Sequence, residues 1–325
     1  MEDMRPQGYM GRGFPALHPE LGLPVRIRDW SDDHQLVALG MRGEDCVGNL
    51  ILGEKSLDRF LARPPQQYTR ADYASLATGA LAGQPGSSAG GEHPKFAACV
   101  EGRHLLVKFA GGDGAAADRW RDLLVCEHLA LEVLREAGIP VARSEWFDLD
   151  GSRYLELERF DRVGKRGRRG VISLWALNSQ YLDPDFDSWS GAGRRILREP
   201  SLSMAAEHAD RMIWLDTFGD LIGNTDRHFG NFSFFAKEAR ELVLTPTPVY
   251  DMLPMVFAPA DANLVERPFV PSPPTALNLH LWPEVASHAL KYWSRLGDQA
   301  ALSAGFRRMA AGCRDTLALL IGERS

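Results

Sequence analysis

The chain has 325 residues, of which 45% are hydrophobic and 25% are charged, and its formal net charge is −6. These proportions are those of an ordinary globular protein, the length favours two lobes over one core, and the negative charge argues against a broad nucleic-acid surface. No apolar run is long enough to span a membrane and residues 1–5 lack the apolar core of a signal peptide, so a cytoplasmic location without membrane contact is predicted. The scattered cysteines predict reduced, mostly buried thiols at Cys46, Cys99, Cys126 and Cys313.

The N-terminal part is predicted to contain turns and short helices. Residues 1–30 are rich in Gly, Pro and Arg, which favours loops over a stable helix. Helices are predicted at 32–42 and 56–62, and a helical pattern covers 68–81. The glycine- and serine-rich segment 79–95 follows; its backbone could approach a phosphate closely, and simple flexibility is the alternative interpretation.

Two strands, 96–100 and 104–110, are predicted to form a hairpin. Lys108 falls inside the second strand, where a charge is costly unless it is paired or bound to an anion. A lysine on an edge strand that reaches water is the alternative. A strong helix is predicted at 118–137, and Glu127 lies on or beside its apolar stripe. A carboxylate there needs a cation such as Lys108, although a surface position at the flank of the helix is also open.

A second hairpin, 146–157, turns at an Asp-Gly pair and leads into the charged segment 158–162, whose composition suits a hinge between lobes. Residues 1–160 are therefore predicted to form a smaller, mixed N-terminal lobe, and 161–325 a mainly helical C-terminal lobe. A basic run from Arg162 to Arg169 follows the hinge. It is ordinarily a solvated loop, and contact with a phosphorylated peptide or nucleic acid is the alternative.

The second half of the chain is mostly helical in pattern. A buried helix is predicted at 203–222, and it delivers the polar stretch 224–233 at its end. A short aromatic strand and a second strand at 242–244 follow, and then Tyr250-Asp251. Two packed helices are predicted in the last forty residues.

The polar stretch 224–233 and the acid that follows it suit phosphoryl transfer. Asp226, Asn231 five residues later and Asp251 beyond a hairpin provide one base and two magnesium ligands on adjacent loops. His228 is predicted to be a satisfied core histidine without a chemical role.

The whole order matches the parts of a protein kinase: a glycine-rich segment, a strand lysine, a helix glutamate, a hinge, and an acid with an amide and a second acid. Asp226 would accept the proton of an attacking hydroxyl, and Asn231 and Asp251 would bind Mg²⁺. Lys108 would neutralise the α- and β-phosphates of ATP while Glu127 holds it in place. A catalytically degenerate nucleotide-binding regulator and a magnesium-dependent nuclease remain as alternatives.

Three segments closely resemble signatures of the HipA-like serine/threonine kinases, the toxins of bacterial toxin–antitoxin modules: TDRHFGNFS at 225–233, PVYD at 248–251 and ERFDR at 158–162. DMRPQGY at 3–9 and GNLILG at 48–53 look like the YjjJ-like branch of that family. The resemblance covers most of the chain and implies an α+β, two-lobed protein-kinase-like fold. It also implies that ATP and Mg²⁺ are used.

The resemblance assigns further residues. The five chemical residues named above take the same roles in the family, and Glu158 and Phe160 match the hinge residues whose backbone meets adenine. Ser88, or failing that Ser87, matches the loop serine that such kinases autophosphorylate. A protein substrate and an antitoxin protein are the implied partners. The YjjJ-like branch usually carries a winged-helix-like segment upstream that we expect to be absent here, so DNA contact is expected only indirectly or through that segment.

Overall fold

The computed structural model describes residues 2–62, 64–82, 93–182, 188–260 and 263–322. By their contacts the residues form two units: the first consists of Met1–Gly111 and Arg143–Val171, and the second of Gly112–Ala142 and Ile172–Ser325. The lobe boundary after residue 160 stays a prediction.

Four helices belong to the first unit: α1 (Gly8–Leu17), α2 (Asp32–Arg42), α3 (Glu54–Ala62) and α4 (Tyr73–Ala82). The helices predicted at 32–42 and 56–62 are confirmed, but the prediction of loops throughout 1–30 is wrong because of α1. Burial explains the difference: Tyr9, Gly11, Gly13 and Pro15 are buried. A Cβ on Gly11 would lie 2.5 Å from the carbonyl carbon of Pro6, so glycine here permits close packing.

The first unit also contains a five-stranded sheet, β1 (Gln67–Tyr68), β2 (Lys95–Val100), β3 (Arg103–Ala110), β4 (Ser144–Leu149) and β5 (Ser152–Glu158), in the order β1-β2-β3-β5-β4. The β1–β2 pair is parallel and the other pairs are antiparallel. Both predicted hairpins are confirmed. The β4–β5 turn uses Asp150 at φ 49° and Gly151 at φ 75°, the left-handed pair that a two-residue hairpin requires.

One face of this sheet packs on α4. Tyr73 of that helix is buried in a cluster with Phe96, Val107, Phe109 and Tyr154. Since side chains alternate along a strand, Lys108 projects to the opposite face of the sheet from Val107 and Phe109. A short hairpin of β6 (Arg162–Val163) and β7 (Gly167–Arg168) stands within the basic run, where the sequence suggested only a loop.

The second unit is mainly helical. Its helices are α5 (Ala115–Glu136), α6 (Leu174–Tyr181), α7 (Trp189–Ile196), α8 (Ala206–Leu221), α9 (Trp282–Asp298) and α10 (Ala304–Gly322). A four-stranded sheet runs in the order β8-β10-β11-β9, from β8 (Val171–Ser173), β9 (Leu202–Met204), β10 (Ser233–Glu238) and β11 (Leu242–Pro246). The helices predicted near 118–137, 203–222 and the C-terminus are confirmed, as is an α+β fold. None of the described helices combines the length and apolarity needed to cross a membrane.

Candidate active site

The end of α8 sets the position of the polar loop. Gly223 follows the helix with a φ of 72°, and a Cβ there would lie 2.8 Å from Cγ1 of Val256. The backbone N–H of Asn224 then donates to the carbonyl of Gly219 at 2.8 Å. A residue with a side chain would be strained and crowded at position 223, so the glycine allows the chain to leave the helix abruptly.

Asp226 is held by amides on both sides. Its backbone N–H donates to Oδ1 of Asn224 at 3.0 Å, and its carbonyl accepts from Nδ2 of Asn231 at 2.9 Å. Since a carbonyl can only accept, the Asn231 amide must turn its NH₂ group inward, which leaves Oδ1 as the ligand atom. The carboxylate of Asp226 is 51% exposed. The five-residue spacing seen in the sequence therefore closes a loop that presents a carboxylate and an amide oxygen.

Asp251 lies on a second loop with an uncommon backbone conformation. Its φ is 55°, in the left-handed region that residues with side chains seldom occupy. Its N–H donates to Oε1 of the fully buried Glu127 at 3.2 Å, and its carbonyl accepts from Nδ2 of Asn224 at 3.4 Å. Asn224 thus bonds to both acidic loops, and a conformation that costs energy is fixed by its surroundings.

Further contacts support the loops from behind. The guanidinium of Arg227 donates from Nε to Oδ1 of Asp216 at 3.1 Å and from Nη1 to the carbonyl of Asn224. Trp189 Nε1 donates to the carbonyl of His228 at 3.2 Å. The Tyr250 hydroxyl donates to the carbonyl of Gly230 at 3.0 Å and lies 2.8 Å from Oγ of Ser233.

No role was predictable for these supporting residues from the sequence pattern around them. Only Asn224 carried a signal, because an asparagine two residues before an N–H is placed to accept from it. Arg227, Trp189 and Tyr250 act through partners that the sequence does not identify.

His228 differs from its predicted core position. Its side chain is 50% exposed, and Nε2 lies 3.9 Å from Oδ1 of Asp226. Nδ1 accepts from the backbone N–H of Gly230 at 3.0 Å, so the ring caps the short turn that carries Asn231. The prediction of a buried histidine is therefore wrong, because the loop closes through amides and leaves the ring at the surface.

The oxygen atoms of the site are of the chemical type that binds magnesium. Asp226, Asn231 and Asp251 offer carboxylate and amide oxygens, the hard ligands that Mg²⁺ prefers. Within the described ranges, no three His, Cys, Asp or Glu side chains gather as a larger metal site. The two predicted ligands, Asn231 and Asp251, would supply only part of the ligands of the ion, and Mg²⁺ in proteins usually keeps several waters.

The remaining predicted residues lie in the first unit or outside the described ranges. Lys108 is 3% exposed on β3, opposite Leu155 of β5, and Glu158 is the last residue of β5. Phe160 follows two residues later and is half-buried. Lys108 belongs to the first unit and Glu127 to the second, so their pairing stays a prediction. Ser87 and Ser88 lie outside the described residues.

The chain matches known proteins along most of its length. The model of the HipA-like C-terminal domain matches residues 87–317, and that of the YjjJ-like toxin middle domain matches residues 1–61. Toxin YjjJ of Escherichia coli K12 is 34% identical over 327 residues, which covers 95% of this chain and 72% of YjjJ. The serine/threonine-protein kinase toxin HipA of Shewanella oneidensis is 25% identical over 195 residues, which covers 53% of this chain and 44% of that HipA.

The fold is also similar to a solved structure. A chain in the complex of Shewanella oneidensis MR-1 HipA, HipB and operator DNA superposes with a TM-score of 0.59 at 16% identity, covering 96% of this chain and 82% of that one. At this identity the likeness is one of fold, and the predicted protein-kinase-like α+β fold is confirmed. The two family models and the 34% identity to YjjJ are consistent with this fold. The chain therefore belongs to the HipA-like family, in its YjjJ-like branch.

Proposed function

We propose that this protein is an ATP- and Mg²⁺-dependent serine/threonine protein kinase. The observation that carries the proposal is the hydrogen-bonded pair of acidic loops, in which Asn224 joins the loop of Asp226 to that of Asp251. One half-exposed carboxylate and two oxygen ligands on fixed loops are what phosphoryl transfer needs from a protein, because its catalysis rests on positioning and charge.

Asp226 accepts the proton of the attacking serine or threonine hydroxyl and orients that hydroxyl. Asn231, through Oδ1, and Asp251 hold Mg²⁺, which supplies positive charge to the phosphates of ATP. Lys108 would neutralise the α- and β-phosphates with Glu127 as its predicted partner, and the backbone at Glu158 and Phe160 would receive the adenine. Glu127 has a second task, since its carboxylate also fixes the N–H of Asp251.

The biological role we propose is that of a toxin in a toxin–antitoxin system. YjjJ of Escherichia coli and HipA of Shewanella oneidensis are toxins by name, and the latter is a serine/threonine-protein kinase. The related solved complex contains HipB and operator DNA, so an antitoxin protein is the proposed partner here and DNA an indirect one. Autophosphorylation at Ser88, or at Ser87, is the proposed control of activity.

Transfer of labelled phosphate tests the kinase assignment. The purified protein is incubated with γ-labelled ATP, Mg²⁺ and a bacterial lysate, and label on the chain and on lysate proteins is measured. Asp226→Asn keeps the size of the side chain and removes the base, so labelling should fall about 100-fold or more. Asp210→Asn changes an exposed carboxylate of the same unit and should leave labelling unchanged.

Equal labelling by wild type and Asp226→Asn would reject Asp226 as the base. Binding of ATP in calorimetry without transfer to any protein would favour the nucleotide-binding regulator. Cleavage of plasmid DNA that needs Mg²⁺ but no ATP would favour the nuclease.

Mass spectrometry tests the control site and the target. Phosphate on the wild-type protein should map to Ser88 or Ser87 and disappear when both are changed to alanine. Comparison of the phosphoproteins of cells that express the wild type or Asp226→Asn should identify the substrate. Phosphate at another residue of the chain would contradict the proposed control site.

A further inference from the structure

The first unit contains a cavity of about 740 Å³. Its wall comes from the end of α2, from α3 and the segment that follows it, from β2 and the start of β3, and from the β6–β7 hairpin. The predicted nucleotide-binding residues of this unit, Lys108, Glu158 and Phe160, do not line it. The size is that of a site for a small molecule.

Positive charge dominates the wall of the cavity. Seven arginine and lysine side chains line it, against three carboxylates. The basic run after the hinge supplies four of the seven, which are Arg162, Lys165, Arg166 and Arg168. The chain as a whole has a net charge of −6, so this concentration of cations is local.

Ion pairs neutralise only some of the seven cations that line the cavity. Asp45 accepts from Nη1 of Arg159 at 2.9 Å and from Nη2 of Arg162 at 2.8 Å. Arg59 lies 3.6 Å from Glu44, and Arg42 lies 2.6 Å from Glu20. These contacts account for four of the seven cations.

The other three cations are Lys165, Arg166 and Arg168. Among the residues that the structure describes, none of the three forms an ion pair, and one carboxylate of the wall, Asp58, is likewise unpaired. Lys165 and Arg166 are exposed at the turn of the β6–β7 hairpin. The cavity therefore has an unbalanced excess of positive charge on one side.

Arg168 is the most constrained of these cations. Its Nη2 donates to the carbonyl of Glu44, while Nε and Nη1 are buried and have no hydrogen-bond partner within the described part of the chain. Its guanidinium carbon lies 4.7 Å from the centre of the Phe60 ring. Burial, followed by the neighbouring charge of Arg162, lowers the pKa of Arg168 below its ordinary value. A half-buried guanidinium with two nitrogen atoms that lack a hydrogen-bond partner favours the arrival of an anion.

The rest of the lining identifies the kind of anion. Arginine presents a planar set of donors that matches phosphate, and lysine adds a compact charge. Phe60, Tyr68 and Leu105 give the cavity an apolar side, which suits a carbon body attached to the phosphate. A long nucleic acid fits less well, because it needs an extended basic surface, whereas these cations line one cavity of a protein whose net charge is −6.

We propose that this cavity binds a small organic phosphate, whose phosphate group is held by Lys165, Arg166 and Arg168 and whose body lies against Phe60 and Tyr68. This site goes beyond the proposed kinase chemistry and does not depend on it.

Calorimetry with phenyl phosphate tests the proposal, because this probe has a phosphate and an aromatic body but is not a nucleotide. It is titrated into the full chain without Mg²⁺, beside inorganic phosphate, AMP and benzoate. Phenyl phosphate should bind more tightly than either inorganic phosphate or benzoate. Inorganic phosphate lacks the aromatic ring, and benzoate lacks the phosphate group. AMP that binds at the same stoichiometry and competes with phenyl phosphate would identify a nucleotide as the natural source.

Two variants and one control locate the binding. Arg168→Gln should weaken phenyl phosphate about tenfold or more through the loss of a charged hydrogen-bonding group. The double variant Lys165→Gln, Arg166→Gln should weaken it to a similar extent, and it changes only exposed residues, so it serves if Arg168→Gln does not fold. Arg28→Gln removes an equal charge from an arginine of the same unit that is 73% exposed and outside the cavity, and it should leave affinity unchanged.

Three outcomes would overturn the proposal. The first is no binding of phenyl phosphate at millimolar concentration. The second is binding that all variants retain. The third is tighter binding of a thirty-nucleotide single-stranded DNA that the same variants lose, since this would assign the surface to nucleic acid.

Discussion

The two units hold their charged groups in different ways. In the second unit, amide and backbone groups hold the acidic loops: Asn224 bonds to both, and Asn231 closes the loop of Asp226. In the first unit, carboxylates and guanidinium groups hold each other. The buried Asp161 accepts from Arg159 at 3.1 Å and from Arg162 at 2.7 Å.

The difference has a chemical consequence. An ion pair uses the charges that form it, whereas an amide that bonds to the backbone fixes a loop without using the charge of a carboxylate. In the second unit these bonds fix the loop of Asp226 through its backbone, and the Asp226 side chain is 51% exposed. In the first unit, ion pairs use the charges of Asp161, Arg159 and Arg162, whereas no ion pair within the described residues uses those of Lys165, Arg166 and Arg168 in the β6–β7 hairpin.

The largest expected effect comes from breaking the ion-pair network of the first unit. Asp161 is 7% exposed at its side chain, and it also accepts from the backbone N–H of Gly48 at 3.0 Å. Asp161→Ala leaves two buried arginines short of a counter-charge, and we expect a loss of about 3–5 kcal/mol in the free energy of unfolding. Urea denaturation measures it. Asp58→Ala removes an exposed carboxylate, and a change of similar size there would contradict the explanation.

The effect of Asp161→Ala on stability should depend on pH. Burial raises the pKa of Asp161, but Arg159 and then Arg162 outweigh it and hold the pKa below the ordinary value of 3.8. A carboxylate with a lowered pKa stabilises the fold above its unfolded-state pKa, and this contribution is lost as the pH falls through the folded-state pKa. The gap in stability between wild type and Asp161→Ala should therefore narrow as the pH is lowered from about 5. A gap that stays constant would show that the charge of Asp161 is not responsible.

A smaller loss is expected when the amide network of the second unit is broken. Asn224 is fully buried and makes hydrogen bonds to the backbone of Asp226 and Asp251. Asn224→Ala removes both, and we expect about 2 kcal/mol of lost stability. The rate of any phosphoryl transfer should fall as well, because no side chain then forms hydrogen bonds to both loops. Asn49→Ala, at an exposed asparagine, is the control, and equal losses from the two variants would remove the special role of Asn224.

Local sequence pattern predicted most of the fold. Alternating and helical apolar patterns located β2, β3, β4, β5, α5 and α8, because each pattern repeats within its own element. Helix α1 was not predicted because its glycines and proline are poor helix formers. Burial stabilises the helix, and the local sequence does not reveal that burial.

The sequence predicted the acidic and amide side chains of the candidate site, but not the contacts that hold its loops together. The five-residue spacing from Asp226 to Asn231 predicted a loop that carries a base and a metal ligand, and in the structure a hydrogen bond closes that loop. The cavity of the first unit could not be predicted from the sequence. Its wall depends on contacts between distant residues, such as that of Arg162 with Asp45, 117 positions apart. His228 was misplaced for the same reason, since exposure depends on how the loop closes.

The smallest expected effect tests the support behind the Asp226 loop. Gly219 is buried on α8, and a Cβ there would lie 2.4 Å from Cδ of Arg227, in the middle of the side chain that donates to Asp216 and to the carbonyl of Asn224. Gly219→Ala must displace Arg227, and we expect about 1 kcal/mol of lost stability, since the crowding exceeds the gain in helix propensity. Gly312→Ala is the matched control: this glycine lies in the middle of α10 with nothing within 4 Å of a Cβ, so the same substitution should stabilise the protein by about 0.5–1 kcal/mol. Opposite signs in the two unfolding experiments are the expected result, and stabilisation by both variants would mean that Arg227 yields freely and does not anchor the loop.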